Sequence, residues 1–381
     1  MTTVATKAST TMPDVTKLPM RVGLGQVKEL SDEFLDFSKQ MGLEDVQMNL
    51  YHLPDDMAAR DTGRLEFQDL LRLRMRAEDR GLRLIAIENV PIRFYDKIML
   101  GQTGREQQLE NMQETIRNMG RAGIPIFGYH FIANGVWRTQ SDTPIRGGAI
   151  SNGFSYERAK PAPLSYDRVY HEPEMWANYD WYMERILPVC EEYNVRMALH
   201  PDDPPVPILG GIPRLFRNFE NFKRALDTHP SPMHGLDYCH GCWSEMRGGA
   251  GVIESVEYFA KQGRIFYVHF RDVKGASEDF TECFIDEGNS NMFEVMLALK
   301  KSGFNGFLID DHVPKMSNDS PWNHRGRAHA TGNVRVAEGG EFVEVISGHG
   351  ITRTDTENFL HLLSCLSVSK YEVQSSSLSG S

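Results

Sequence analysis

The sequence predicts an α/β chain folded as a (β/α)₈ TIM barrel, on three observations. Eight short apolar runs recur along the chain. Amphipathic stretches of helical periodicity separate them, and several close on glycine, a helix stop signal. Ligand-type residues stand where the later runs stop, and strand ends are where parallel-sheet enzymes keep their chemistry.

In order, the runs are MRVGLGQ (20–26), DVQMNL (45–50), LRLIAIENV (82–90) and PIFGYHF (125–131). Then come VRMALHPD (195–202), HGLDYCH (234–240), IFYVHFRDV (265–273) and GFLIDDHV (306–313). The stretches between them include SDEFLDFSKQMG, LEFQDLLRLRMRAEDRG, REQQLENMQETIRNMGRAG and EMWANYDWYMERILPVCEEY. FENFKRALDTH, VIESVEYFAKQG and NMFEVMLALKKSG complete the set. Strand and helix alternating eight times read as one closed barrel over residues 19–332. A doubly wound open sheet is the alternative, but no G-x-G-x-x-G follows the first run.

Two segments break the alternation. Residues 138–170 are too long for an ordinary connection, and after strand four they belong over the active-site face as a long loop. From 333 to 381 the chain lacks the apolar stripe of an eighth helix, and NFLHLLSCLSV is the nearest substitute. Residues 1–18 read as a disordered leader, and SSSLSGS as a loose end.

The formal charge of -11 argues against nucleic acid or an anionic membrane as partner. No stretch is long and apolar enough to span a bilayer. Five cysteines with no signal-peptide pattern before them fit free thiols in a reducing, cytoplasmic setting.

Four ligand-type residues fall at four successive strand ends: His200, Cys239, His269 and Asp311. Barrel strand ends converge on one mouth, and two imidazoles, a thiolate and a carboxylate suit a divalent transition metal. Taken singly, each has a plainer role: a strand-end histidine is commonly a hydrogen-bonded structural group, and a buried cysteine a small hydrophobe. Cys239 and Cys242 form one C-x-x-C with no second pair, so a zinc knuckle is not indicated and Cys242 reads as a loop thiol. Asp310 and Asp311 point to opposite faces of a strand, so one of the two reaches the mouth. Asp202 and Asp203 serve either as loop caps or as binding groups.

At these residues the chain resembles the mannonate dehydratase family, among the xylose-isomerase-like barrels. ALHPDDPP, LDYCHG, YVHFRDVK, LIDDHVP, GREQQLENMQETIRNMGRAGI and YHFIANGVWRT carry the resemblance, over roughly residues 20 to 332. It implies dehydration of D-mannonate to 2-keto-3-deoxy-D-gluconate, with Mn²⁺ or Fe²⁺ held by His200, Cys239, His269 and Asp311. It also favours Asp311 over Asp310 and makes His312 the acid-base residue. Trp137, Arg138, Asp202, Arg271 and His324 are the candidates for holding the sugar acid. The family carries a functional tyrosine after the Asp-His pair; none lies between His312 and Asn333 here, and His324 or Arg325 stands nearby instead. A sugar isomerase or epimerase on the same barrel is the second reading, and a catalytically impaired sugar-acid binder the third. A homo-oligomer is compatible with all three.

Overall fold

The computed structural model describes Asp14 and residues 17–338. The chain opens with β1 (Arg21–Val27), α1 (Asp32–Gln40), β2 (Asp45–Asn49), α2 (Ala59–Thr62), α3 (Phe67–Glu78) and β3 (Arg83–Glu88). It continues through α4 (Asp96–Leu100), α5 (Arg105–Ala122) and β4 (Ile126–Tyr129). A first excursion holds β5 (Gln140–Pro144), β6 (Ile150–Ser155) and α6 (Tyr156–Ala159). Then follow α7 (Glu172–Tyr193), β7 (Arg196–Leu199), the hairpin β8 (Ile208–Leu209) and β9 (Ile212–Pro213), and α8 (Phe219–Thr228). Next are β10 (His234–Cys239), α9 (His240–Lys261) and β11 (Ile265–His269). A second excursion, β12 (Val273–Ala276) and β13 (Asp279–Glu282), precedes α10 (Met292–Lys301), β14 (Phe307–Ile309) and α11 (His324–Glu338).

Eight parallel strands close into a barrel in the order β1-β14-β11-β10-β7-β4-β3-β2. Seven of the eight apolar runs contain one of them whole, and β1 runs one residue past the first, to Val27. The runs are continuous rather than alternating because both faces of each strand are covered, one by the barrel interior and one by helices. Ile85, Ala86, Ile126, Ala198, Phe266, Tyr267, Phe307 and Ile309 form a buried inner cluster. Helices bury their apolar stripes outside, as α5 does with Leu109, Met112, Ile116 and Met119. Gly123 ends α5 at φ +73°, a left-handed conformation glycine adopts without strain.

The segment expected as a long loop after strand four is folded instead. It supplies β5 and β6 to a four-stranded antiparallel sheet of order β12-β13-β6-β5, whose other half comes from the second excursion. The C-terminal boundary also differs from expectation: α11 starts at His324 and runs past residue 332 to Glu338. Val334 buries one side of it. The run NFLHLLSCLSV and most of the leader lie outside the described residues. Among the described residues, no helix is long and apolar enough to cross a membrane.

Candidate active site

Four barrel strands bring the expected ligands together. His200 follows β7, and its backbone N–H donates to Tyr129 O at 2.8 Å. Cys239 ends β10 in register with His269 of β11, and His269 is in register with Ile309 of β14. The donor atoms of His200, Cys239 and His269 lie within 4.8 Å of one another. Asp311 joins from two residues beyond β14, its Oδ2 3.6 Å from His269 Nδ1. The pair Asp310 and Asp311 is sorted by Arg327, whose Nη1 donates to Asp310 Oδ2 at 3.0 Å and to the Asp311 carbonyl at 3.1 Å. Asp311 itself sits at φ +47°, strained for an aspartate, as residues at functional sites tend to be.

The nitrogens of the two imidazoles test whether a metal fits. His200 Nδ1 lies 2.7 Å from the Pro201 carbonyl, so it is the donating nitrogen and Nε2 is left for Cys239. His269 Nε2 lies 2.7 Å from Glu88 Oε2, and its Nδ1 is buried with no hydrogen-bond partner. Metal-binding histidines are held in this way, the far nitrogen tied to a carbonyl or carboxylate and the near one free. Burial pushes the Cys239 thiol up, but Cys242, Arg271 and His200 outweigh it and hold the thiol well below its ordinary value. Two imidazole nitrogens, a thiolate and a carboxylate therefore converge, a donor set that fits a divalent transition metal better than Mg²⁺.

A shell missed by sequence reasoning supports His269. Glu88 Oε2 also accepts from Gln47 Nε2 at 2.9 Å and Tyr267 OH at 3.2 Å. Gln26 Nε2 approaches Glu88 Oε1 at 3.4 Å, and Asn49 Nδ2 donates to Gln26 Oε1 at 2.6 Å. Gly128 makes room for this layer: a Cβ there would meet Tyr267 OH at 2.1 Å and Glu88 Cγ at 2.8 Å. The only signal in the sequence was Glu88 standing at the end of the third apolar run, the position the ligands occupy on theirs.

A cavity of about 520 Å³ opens above the cluster. Among its lining residues are His200, His269, Asp311, His312, Glu88 and Asp203. Lys28, Asn49, Tyr51, His130 and Asn152 also reach it, and none was singled out from sequence. Several other expected substrate contacts are absent from the lining. Arg138 forks onto Asp203, at 2.6 and 2.9 Å, and also holds Glu282. Arg271 is buried, with Nε on Asp311 Oδ2 at 2.7 Å and Nη2 on Asp203 Oδ2 at 3.2 Å. Both arginines thus brace carboxylates of the site. Asp202 turns the other way, accepting from the Phe216 N–H beside Arg214. Trp137 donates Nε1 to Asn134 O at 3.1 Å and packs on the cluster of Phe154 and Val206. His324 is outside the cavity, between Ser320 and Glu33 and against Phe37 and Trp322. Cys242, expected as a loop thiol, is buried under Arg271 at 3.4 Å.

Fold and site together define a xylose-isomerase-like barrel with candidate metal ligands at its mouth. A solved L-ribulose 3-epimerase shares this fold, with a TM-score of 0.54 at 14% identity, covering 87% of this chain and 100% of that one. A model of the D-mannonate dehydratase (UxuA) family matches residues 35–168 and 162–337, and the chain belongs to that family. Mannonate dehydratase of Thermotoga maritima is 30% identical over 281 residues, which are 65% of this chain and 77% of that protein. The crystal structure of mannonate dehydratase from Streptococcus suis serotype 2 superposes with a TM-score of 0.73 at 26% identity, covering 84% of this chain and 93% of that one.

Proposed function

We propose that this chain removes water from D-mannonate to give 2-keto-3-deoxy-D-gluconate, with Mn²⁺ or Fe²⁺ held by His200, Cys239, His269 and Asp311. The observation that carries this reading is the convergence of those four residues beneath a cavity, with His312 on its wall. Family membership supports the same reaction. Such an ion, when bound, supplies a Lewis acid that stabilises negative charge developing on the substrate carboxylate as its α-proton leaves.

The rest falls to side chains. His312 Nε2 lies 3.7 Å from Asp311 Oδ1, so a proton carried there is at the edge of the ligand cluster. Breaking the C–H bond needs a base, and loss of the hydroxyl needs an acid; a histidine near neutrality serves as either. Lys28 is the cation on the cavity wall that is exposed, and it suits the far end of an anionic substrate. Asn49, Asn89 and Asn152 offer amides to its hydroxyls.

The test is turnover by the metal-loaded chain. D-mannonate incubated with the Mn²⁺-loaded protein is expected to yield a 2-keto-3-deoxy acid, detected as water loss by mass spectrometry. A preparation with full metal that leaves every aldonate intact and interconverts aldoses and ketoses would make the chain an isomerase.

A further inference from the structure

We infer that Glu282, delivered to His312 by the sheet of the two excursions, is a positioning residue that orients His312 for proton transfer. The inference rests on the acid-base role proposed for His312 and adds a second residue to it.

Glu282 is the last residue of β13 and comes from 30 residues before His312 in the chain. β13 is held by β6, with Asp279 opposite Ser155, Phe280 opposite Phe154 and Thr281 opposite Gly153. Phe154 and Phe280 pack with ring centroids 5.7 Å apart, which ties the two strands together. The sheet so built places one buried carboxylate behind His312, which lines the cavity. Its Oε1 lies 2.7 Å from His312 Nδ1, and its Oε2 accepts from Asn152 Nδ2 at 3.0 Å. Arg138 completes the set, with Nη2 at 2.7 Å and Nε at 3.0 Å from Oε1.

Two features separate this from an ordinary ion pair. Arg138 already has a bidentate partner in Asp203, so Glu282 is not needed to neutralise it. And the carboxylate takes the one nitrogen of His312 that faces away from Asp311. Burial opposes charge on Glu282, but His312, Arg138 and Arg271 outweigh it and hold the carboxyl well below its ordinary range. An ionised Glu282 accepts from Nδ1–H, which leaves the lone pair of a neutral imidazole on Nε2, toward the cavity. The arrangement follows the physical logic of a carboxylate orienting a catalytic histidine, in which the carboxylate fixes the tautomer and the orientation of the ring.

A double-mutant cycle tests it. Glu282→Gln, His312→Asn and the double variant are assayed with D-mannonate after Mn²⁺ loading, with metal content and melting temperature from the same preparations. His312→Asn tests the underlying reading: it is expected to lower kcat by roughly 10² to 10⁴ at full metal occupancy. Glu282→Gln is expected to lower kcat by roughly 10 to 10³, with KM and metal content nearly unchanged. In the His312→Asn background the same change is expected to cost less than about 2-fold, because residues acting as a unit are not additive. An equal loss in both backgrounds, or a loss traced to metal or KM, would overturn the positioning role while leaving His312 in place. Retained turnover in His312→Asn would instead remove the histidine, and Glu282 with it. If Glu282→Gln does not fold, Glu282→Asp is put through the same cycle with the same outcomes.

Discussion

His234 opens β10 and His269 closes the neighbouring β11, so one stands at the floor of the barrel and the other at its mouth. Both are buried. At the floor His234 is satisfied at both nitrogens, 3.0 Å from the His229 carbonyl and 3.0 Å from Tyr179 OH. At the mouth His269 has one nitrogen on Glu88 and the other without a hydrogen-bond partner. Aspartates follow the same contrast. Asp45, at the start of β2, gives one oxygen to Arg21 and the other to Arg83. Asp237 on β10 shares the His269 imidazole that Glu88 already holds, at 3.3 Å. A buried polar group left unpaired is costly, so its persistence needs a reason, and a role as metal ligand is one. In these two pairs the residue type is the same at floor and mouth, and the hydrogen bonding is what differs.

The comparison breaks if the floor behaves like the mouth. Burial lowers the His234 pKa from 6.5 to about 4, so the folded chain keeps the ring neutral while the unfolded chain protonates it first. This contribution to stability is full above pH 6.5 and is lost as the pH falls toward about 4, to a total of roughly 3 kcal/mol. His234→Gln, which cannot titrate, is expected to show a flatter dependence of unfolding free energy on pH across that window, with Mn²⁺ affinity unchanged. Parallel curves for the two proteins would mean that His234 is not held neutral by its surroundings. At the mouth a smaller free-energy change is expected to move metal instead. Glu88→Gln weakens the carboxylate behind His269 and is expected to raise the Kd for Mn²⁺ by roughly 10- to 100-fold, with the fold retained. A Kd within error of the parent's, measured by titration, would reduce Glu88 to a structural hydrogen-bond acceptor.

The barrel was legible in the sequence because strands covered on both faces leave continuous apolar runs that stop abruptly. His200, Cys239 and His269 were legible for the same reason, each standing where such a run stops. The inserted sheet was not. QSDTP and ISNGFS are polar and short; they pair with each other, and ISNGFS takes its second partner from the other excursion, with Thr281 opposite Gly153. The arginines failed for a related reason. Arg138 was a candidate for holding the sugar acid, yet it forks onto Asp203, 65 residues away. No local pattern reveals that a charge is already neutralised by a distant carboxylate. His324 was placed by its distance along the chain from Asp311, whereas the chain turns at 317–318 and again at 321–322 and packs it against Phe34 and Phe37.

The central claim is that one divalent ion is held by the ends of β7, β10, β11 and β14, and two neighbouring cysteines test it most directly. Both are buried and both lie near Arg271, but Cys239 alone joins the two imidazoles in the ligand cluster. Elemental analysis of Cys239→Ser and Cys242→Ser, each beside the parent chain and checked for folding, separates a ligand from a bystander. The parent and Cys242→Ser are expected to retain about one Mn²⁺ or Fe²⁺ per chain, and Cys239→Ser to lose most of it. Equal retention in the two variants, or equal loss, would contradict the assignment of the site.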